Sequence, residues 1–268
     1  METVGATMVA LLVAIAIGAP ILAPYDPARA VAATFGDPGS PSHAFPLGTD
    51  ELGRDVLSRI IWGARISLEV AVAAMGVTMF IGVAVGLIAG FFGGATDFAL
   101  MRLTDMMLAF PTLLLAMAFV TVLRPSLLSI LLVIGLVSWT GVARVVRAET
   151  LSLAQRDFVL AARALGAPSR RLIVMHVLPN ALPMIVVMAV LGTSGTLLLD
   201  AGLSFLGLGV PPPTPSWGRM IEESTMYFRT APWLAAFPGL AIFYAVLAFN
   251  LFGYGFLRRR AAPLGALT

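Results

Sequence analysis

Long uncharged apolar runs dominate the pattern of hydrophobic and polar positions. Six runs of 18 residues or more lie between consecutive charged residues: 3–25, 70–96, 106–123, 125–143, 172–199 and 230–257. A helix of about 20 residues crosses the roughly 30 Å hydrocarbon layer of a bilayer. The runs do not alternate apolar and polar residues, as the strands of a membrane barrel do. The pattern therefore predicts an all-α membrane protein with six transmembrane helices.

A seventh run, 201–218, is long enough but carries Pro211, Pro212, Pro213 and Pro215. Proline lacks the backbone N–H and has a fixed φ, so it stops a helix. We predict a loop here. The expected organisation is a first transmembrane helix at 1–25, an extracytoplasmic loop at 26–65, a core of five helices at 66–260 that includes a cytoplasmic loop at 148–175, and a cytoplasmic tail at 261–268.

Composition supports the membrane class, since 59% of the 268 residues are hydrophobic and only 12% are charged. No water-soluble domain of this length hides so much apolar surface in one core. The chain has no cysteine, which excludes disulfides and thiolate metal sites. Two histidines, His43 and His176, are too few for a metal centre, and we predict neither a metal nor a cofactor.

The basic residues predict the orientation. With the N-terminus inside, the inner segments hold ten arginines against four acids besides Glu2, and the outer segments hold seven arginines against nine acids. This bias predicts cytoplasmic N- and C-termini. The outer residues Arg54, Arg59 and Arg65 weaken the bias and are expected near the lipid headgroups. A cleaved signal peptide is the alternative for the first run, but no basic residue precedes that run.

Several chemistries are excluded by residues that the chain lacks. All 17 basic residues are arginine, so a lysine-containing phosphate loop is impossible. No Ser–His–Asp group or carboxylate pair occupies a plausible catalytic position, and we predict that the protein is not an enzyme. Ion-coupled carriers usually keep ionisable residues in mid-span. Here those residues lie near helix ends, which favours a permease driven by a separate ATPase. An ion-coupled carrier, a structural subunit and an intramembrane enzyme are the alternatives.

One short arginine-rich segment, 155–179, separates two long apolar runs. Within it Phe158, Ala161, Ala162 and Leu165 follow the spacing of one helix face, and Gly166 is placed to end that helix. Such a segment forms a rigid knob that a partner protein can contact. An ordinary basic loop is the alternative.

The sequence Ala161-Ala162-Arg163-Ala164-Leu165-Gly166, followed by His176-Val177-Leu178-Pro179, resembles the EAA motif of ABC importer permeases. Leu160 occupies the position of the motif's glutamate. The resemblance implies the type I ABC importer transmembrane fold. It also implies that a cytoplasmic coupling helix contacts the ATP-binding subunit through these residues: Leu160, Ala161, Ala162, Arg163, Gly166, His176 and Pro179.

Three further stretches are similar to the branch of that family that carries dipeptides, oligopeptides and nickel, in particular its C-type permease. They are 46–68, 101–111 and 204–218. The resemblance implies peptide import across a bacterial cytoplasmic membrane, with nickel or glutathione as alternative substrates. The implied partners are a second related permease, two ATP-binding subunits or one fused ATPase, and an external substrate-binding lipoprotein. No nucleic acid is expected.

A short interfacial helix is expected in the outer loop. Thr49 or Asp50 is expected to cap a helix that begins near Leu52 and lies flat on the outer leaflet, with a solvated connector as the alternative. The residues assigned to this interfacial helix are Asp50, Gly53, Arg54, Asp55 and Arg59.

Pro111 and Pro183 are expected to bend helices at positions useful for gating, although purely structural kinks are equally compatible with the sequence. Gly82, Gly86 and Gly90 form a face for close helix packing, either against another subunit or within the chain.

Overall fold

The computed structural model describes residues 2–32, 36–123 and 126–261, with backbone alone for residues 257–261. The predicted tail beyond residue 261 and the side chains of the final arginine cluster lie outside the described residues. The helices are α1 (Glu2–Leu22), α2 (Val56–Phe92), α3 (Gly94–Leu108), α4 (Thr112–Val122), α5 (Leu127–Ala154), α6 (Asp157–Ala164), α7 (Ser169–Phe205), α8 (Trp217–Glu223) and α9 (Trp233–Ala261).

Five of these helices are long and apolar enough to cross a membrane: α1, α2, α5, α7 and α9. The helices α3 and α4 form a pair bent by 87° at a short break, and together they qualify as one broken span. The described part of the chain contains no strand beyond one bridge between Thr49 and Asp55. The all-α membrane prediction is confirmed.

Helices α2 and α5 run parallel and in register. Gly82 faces Val142, Gly86 faces Val146 and Gly90 faces Thr150, so in each pair the α5 residue follows the α2 glycine by sixty positions. Two parallel neighbours need a connection that crosses back between them. The bent pair α3–α4 supplies this return, which makes it the sixth crossing.

The glycine face of α2 therefore packs within the chain. A Cβ atom on Gly82 would come within 2.6 Å of the Val142 Cβ, and one on Gly90 would come within 2.7 Å of the Thr150 Cβ. Small residues allow two helix backbones to approach closely in lipid, where packing rather than the hydrophobic effect holds helices together. Of the two possibilities that the sequence left open, the internal contact is the correct one.

Both described chain ends lie at one end of the bundle, which we call the termini end. The backbone at Gly255 contacts Glu2, and the backbone at Gly5 contacts Phe252. The opposite end, the loop end, holds the connections α1–α2 and α7–α9. There the Tyr25 amide donates to the Ser58 hydroxyl at 3.0 Å, which ties the end of α1 to the start of α2.

The predicted interfacial helix is wrong. Asp55, rather than Thr49 or Asp50, is the N-cap, and its carboxylate accepts the Ser58 amide at 2.8 Å. The helix that follows is α2 itself, which runs without interruption for 37 residues. Asp50 and Gly53 belong to the turn before it, and Arg59 belongs to its first turns. The charges at Arg59, Arg65 and Glu69 hid this continuity, because they interrupt the apolar run.

Two other boundaries differ from the prediction. Residues 201–205 continue α7, and Trp217 and Gly218 begin α8, so only residues 206–216 of the proline-rich segment form a loop. Pro111 does not bend a continuous helix; it lies immediately before α4, after α3 has already ended. Pro183 does lie inside a helix, namely α7.

The helix α8 is fixed to α2 at the loop end by a fully buried tryptophan. The Trp217 indole N–H donates to the Ile60 carbonyl at 3.0 Å, and its amide donates to the Ser67 hydroxyl at 3.2 Å. Buried tryptophans usually find a partner for their N–H, as this one does. The contact places the residues after Trp217 beside the start of α2.

Candidate functional site

The short helix α6 lies at the termini end and is attached by one side only. Val159 is completely buried and Ala162 is half-buried, and both belong to an apolar cluster with Leu172 and Val177 of α7. At 100° per residue, the opposite side of α6 carries other apolar residues. These remain exposed: Phe158, Leu160, Ala161 and Leu165, the last with 88% of its surface accessible.

The end of α6 is fixed by a Schellman motif. Gly166 has φ +84°, its amide donates to the Arg163 carbonyl at 3.0 Å, and the Ala167 amide donates to the Ala162 carbonyl at 3.1 Å. Glycine is favoured here by its positive φ and not by crowding, because the space around a Cβ at this position is open. The motif turns the chain sharply into α7 and leaves Leu165 at a corner.

Arg163 and His176 both have neighbours within the chain, although Arg163 is exposed and His176 is half-buried. The Arg163 guanidinium carbon lies 5.3 Å from the Phe91 ring centroid, at the end of α2. His176 is half-buried in a π-helical turn, Leu172–Val177, and its carbonyl accepts the Asn180 side-chain amide at 2.6 Å. Pro179 is exposed in the first ordinary turn after it.

The sequence did not predict the π-helical turn. Pro179 has no N–H, so the carbonyl four residues earlier, on Met175, loses its usual helical partner. Wider π turns often occur at functional positions. An asparagine directly after Pro179 is a local signal of the π-helical turn. The Asn180 side chain can donate to a carbonyl that the distorted helix leaves without its usual partner.

The predicted helix face of α6 is only partly correct. Phe158, Ala161 and Leu165 do lie on one exposed side, but Ala162 turns toward the chain, and the main anchor is Val159. Val159 and Ala162 are three residues apart, which also places them on one side. This buried side of α6 carries fewer apolar residues than the exposed side, so the sequence pattern pointed to the exposed side.

A cavity of about 880 Å³ lies among α2, the α3–α4 corner, α5 and α7. None of its lining residues is charged. Small and hydroxyl residues are frequent, including Thr78, Ser138, Gly192 and Thr196, and the corner contributes Leu108 and Thr112. The break before α4 thus borders the cavity, whereas Pro183 does not line it.

The residues predicted to form an interfacial helix instead contribute to a buried ion-pair cluster at the loop end. Arg54 donates through Nε to the Asp50 carboxylate at 2.7 Å, and Arg59 also pairs with Asp50. Arg59 donates to Glu223 of α8 at 2.8 Å, and Arg54 lies 3.2 Å from the same carboxylate. Only 2% of the Arg59 side chain is accessible.

This cluster joins elements that are far apart in sequence. Gly53, with φ +71°, closes the turn that brings Arg54 back toward Asp50, and its carbonyl accepts the Val31 amide at 2.8 Å. Asp55 lies outside the cluster as the cap of α2. Burial raises the pKa of Glu51, which borders the cluster, and the neighbouring Asp50 and Glu223 raise it further. The turn, α2 and α8 are therefore held together by charges inside the protein.

A second set of ion pairs joins α3 to α5 at the termini end. Arg147 donates two bonds of 2.5 Å to the Asp97 carboxylate, and Arg144 donates one of 2.6 Å to Asp105. Two-bond arginine–carboxylate pairs fix geometry more firmly than single contacts. They hold the first arm of the bent pair against α5.

Comparison with known proteins decides the family. Residues 82–261 match the family described as the binding-protein-dependent transport system inner membrane component. The chain belongs to this family of transporter permeases. The matched region includes α6, the ion pairs of α3 and α5, and most of the cavity.

Individual permeases are similar over almost the whole chain. The dipeptide transport system permease protein DppC of Alkalihalophilus pseudofirmus is 41% identical over 252 residues, which cover 94% of this chain and 82% of that protein. The nickel transport system permease protein NikC of Escherichia coli K12 is also 41% identical, over 92% of this chain and 88% of that protein. Both similarities support the same permease family.

Among solved structures, the permease resembles the MetNI methionine ABC transporter in inward-facing conformations. The TM-score is 0.62 at 17% identity, and the match covers 76% of this chain and 96% of the other. This likeness concerns the fold. The predicted type I ABC importer transmembrane fold is confirmed, and the chain is a multi-pass permease subunit.

Proposed function

We propose that this permease imports dipeptides or oligopeptides together with a second, related permease, and that separate ATPase subunits drive transport by contacting α6. The exposed apolar side of α6 carries the proposal. A monomeric surface gains nothing by presenting Phe158, Ala161 and Leu165 side by side on a helix of eight residues. A groove on an ATPase subunit would bury them.

The attachment of α6 suits the transmission of force. Val159 packs against the start of α7, and Arg163 lies over the end of α2, so a displacement of α6 reaches two helices that border the cavity. The Schellman motif keeps α6 from unwinding under load. Leu160, in the position of the motif's glutamate, is 45% exposed and adds apolar contact where other permeases offer a charge.

The cavity is proposed to be this subunit's half of the translocation path. It is open on one side, and the second permease would close it there. Its uncharged lining of threonine, serine and glycine offers hydroxyl and backbone groups to a peptide without holding it tightly. The α3–α4 corner at Pro111 is proposed as a gating element because it borders the cavity. Pro183 is proposed as a second gating bend, in α7, which also lines the cavity.

We propose a bacterial cytoplasmic membrane, with the termini end in the cytoplasm and an external binding lipoprotein at the loop end. Arg54 and Arg59 are neutralised by buried carboxylates, so these two arginines at the loop end do not count against the orientation expected from the basic residues. The natural absence of cysteine allows a direct test. In the permease expressed without its ATPase subunits, Leu165→Cys should react with an impermeant maleimide only in inverted vesicles, and labelling in intact cells would refute the orientation.

The coupling role is tested with Leu165→Glu in the whole transporter in proteoliposomes. We expect uptake to fall at least tenfold while the chain still inserts, because a buried unpaired charge prevents docking of the ATPase. The matched control is Leu165→Met, which keeps an apolar side chain of similar size at the same exposed corner and should leave uptake nearly unchanged. Equal uptake by the two variants would refute the role of α6.

The substrate is tested by direct uptake in the same proteoliposomes. Labelled dipeptide, glutathione and a nickel chelate are supplied separately with the binding protein present. The dipeptide permease similarity supports peptide uptake, and the equal identity to the nickel permease makes nickel the second candidate. ATP-dependent accumulation of nickel without peptide would replace the peptide proposal and leave the permease assignment intact.

A further inference from the structure

A groove of about 330 Å³ lies between α1 and α2, apart from the central cavity. Its walls are apolar and include Val13 and Ile17 of α1 and Leu68 and Val72 of α2. Two charged residues of α2, Arg65 and Glu69, complete the lining. The groove thus combines a hydrophobic channel with one positive and one negative group.

The two charges lack a charged partner in the described part of the chain. Both side chains are exposed, and the Arg65 guanidinium carbon lies 5.7 Å from the centroid of the Trp62 ring. Residues four apart on a helix lie about 6 Å from each other, yet Arg65 and Glu69 form no ion pair. Charged groups on a membrane-spanning helix are costly unless they are paired. Partners from outside the chain would satisfy both.

Arg65 and Glu69 lie at the depth of the boundary between hydrocarbon and headgroups. Helix α2 has 37 residues and is about 55 Å long, which exceeds the hydrocarbon thickness by about 25 Å. Its uncharged stretch begins directly after Glu69. Arg65 and Glu69 therefore lie where the helix enters the hydrocarbon.

The groove faces away from the central cavity. At 100° per residue, Arg65, Glu69 and Val72 point about 120° away from Met75 and Thr78, which line the cavity. A subunit that closes the cavity would leave this side uncovered. The neighbouring α1 side chain of Ile17 is 73% exposed, as is usual for a surface in contact with lipid.

We propose that the groove binds one phospholipid with a primary ammonium headgroup, the phosphatidylethanolamine class. The Arg65 guanidinium would donate to the phosphate, and the headgroup ammonium would donate to the Glu69 carboxylate. One acyl chain would lie along Val13, Ile17 and Val72. Opposite charges one helical turn apart match the phosphate and ammonium, which a two-carbon bridge separates. The headgroup would bend inward, because Glu69 lies one turn deeper than Arg65. This assignment does not depend on what the transporter carries.

The test uses the full chain extracted from vesicles of equimolar phosphatidylethanolamine, phosphatidylcholine and phosphatidylglycerol, with retained lipid counted by native mass spectrometry. We expect about fivefold preference for phosphatidylethanolamine over phosphatidylcholine, whose quaternary ammonium has no N–H to donate. Glu69→Gln should abolish this preference, and Arg65→Gln should lower retention of all three lipids. Asp37→Asn, which removes an exposed acid outside the groove, should change nothing.

Three outcomes would overturn the proposal. They are equal retention of the lipids by the unaltered chain, a preference that survives Glu69→Gln, and preferential retention of phosphatidylglycerol. A cross-link from position 69 to the second permease in the whole transporter would also overturn it. If the variants do not fold, the melting temperature of the unaltered chain in nanodiscs decides, because it should be higher in phosphatidylethanolamine than in phosphatidylcholine.

Discussion

Gly86 of α2 lies directly against Val146 of α5, so closely that a Cβ atom on Gly86 would come within 2.7 Å of the Val146 Cβ. The same added atom would come within 2.7 Å of the Ala143 carbonyl oxygen. A backbone atom cannot move aside as a flexible side chain can. The contact therefore sets the separation of two parallel helices that both line the cavity.

Gly86→Ala should destabilise the permease by about 1–3 kcal/mol, the usual effect of overpacking a close contact. The measurement is the unfolding of the purified chain in detergent. Gly76→Ala is the matched control, because Gly76 lies on the same helix with no atom near a Cβ. The control should be neutral or slightly stabilising, since alanine favours helix more than glycine does. Equal destabilisation by both would contradict the importance of the packing.

Arg59→Met should destabilise the loop end by about 3 kcal/mol, because Asp50 and Glu223 lose their most buried partner and the cluster keeps an excess of negative charge around Arg54. Thermal unfolding in detergent measures the loss. Arg102→Met removes an arginine that is 62% exposed and 4.0 Å from Asp105. This control should stay within about 0.5 kcal/mol, as surface pairs usually do. A loss of stability in Arg102→Met as large as that in Arg59→Met would show that burial of the ion pairs is not the cause of the loss.

Glu51→Gln should change how stability depends on pH. Burial raises the pKa of Glu51 above its ordinary value of 4.5, so its contribution to stability is present below that value and is lost as pH rises through the folded-state pKa. Replacement by an uncharged residue removes this loss. The gain in melting temperature over the unaltered chain should therefore be larger at pH 7 than at pH 4.5. A gain that is independent of pH would contradict a titrating Glu51.

Gly166→Ala should loosen the end of α6, because a left-handed backbone at φ +84° costs about 1–2 kcal/mol for a residue with a side chain. Hydrogen exchange reports the change, and the amides of residues 166 and 167 should exchange faster in the variant. Gly239→Ala is the control, since Gly239 lies in α9 with open space around it and no positive φ. Unchanged exchange at residue 167 would show that the Schellman motif does not depend on glycine.

The membrane spans could be predicted because each depends on local composition. The uncharged runs located α1, α5, α7 and α9, and the pattern around Gly166 located α6. The start of α2 could not be found in this way. Arg59 looks like a surface residue until Glu223, far along the chain, neutralises it. Pairing between distant charges leaves no mark in a local pattern.

In the candidate site, too, local features could be predicted from the sequence and contacts between distant residues could not. The exposed side of α6 follows from helical periodicity, but its anchoring through Val159 depends on the position of Leu172 and Val177 in the fold. The cavity has no sequence signature, because threonine, serine and glycine at helix spacing serve packing equally well. The glycine face at positions 82, 86 and 90 predicted close packing without naming its partner, and only the fold supplied α5.

The sixty-position offset between α2 and α5 also constrains the order of synthesis and insertion. When Gly82 leaves the ribosome, Val142 has not yet been translated, and α3 and α4 must turn back through the bilayer before α5 arrives. During that interval the glycine face of α2 is without its α5 partner. The arrival of α5 is then the step that closes this face and sets the separation of the two helices.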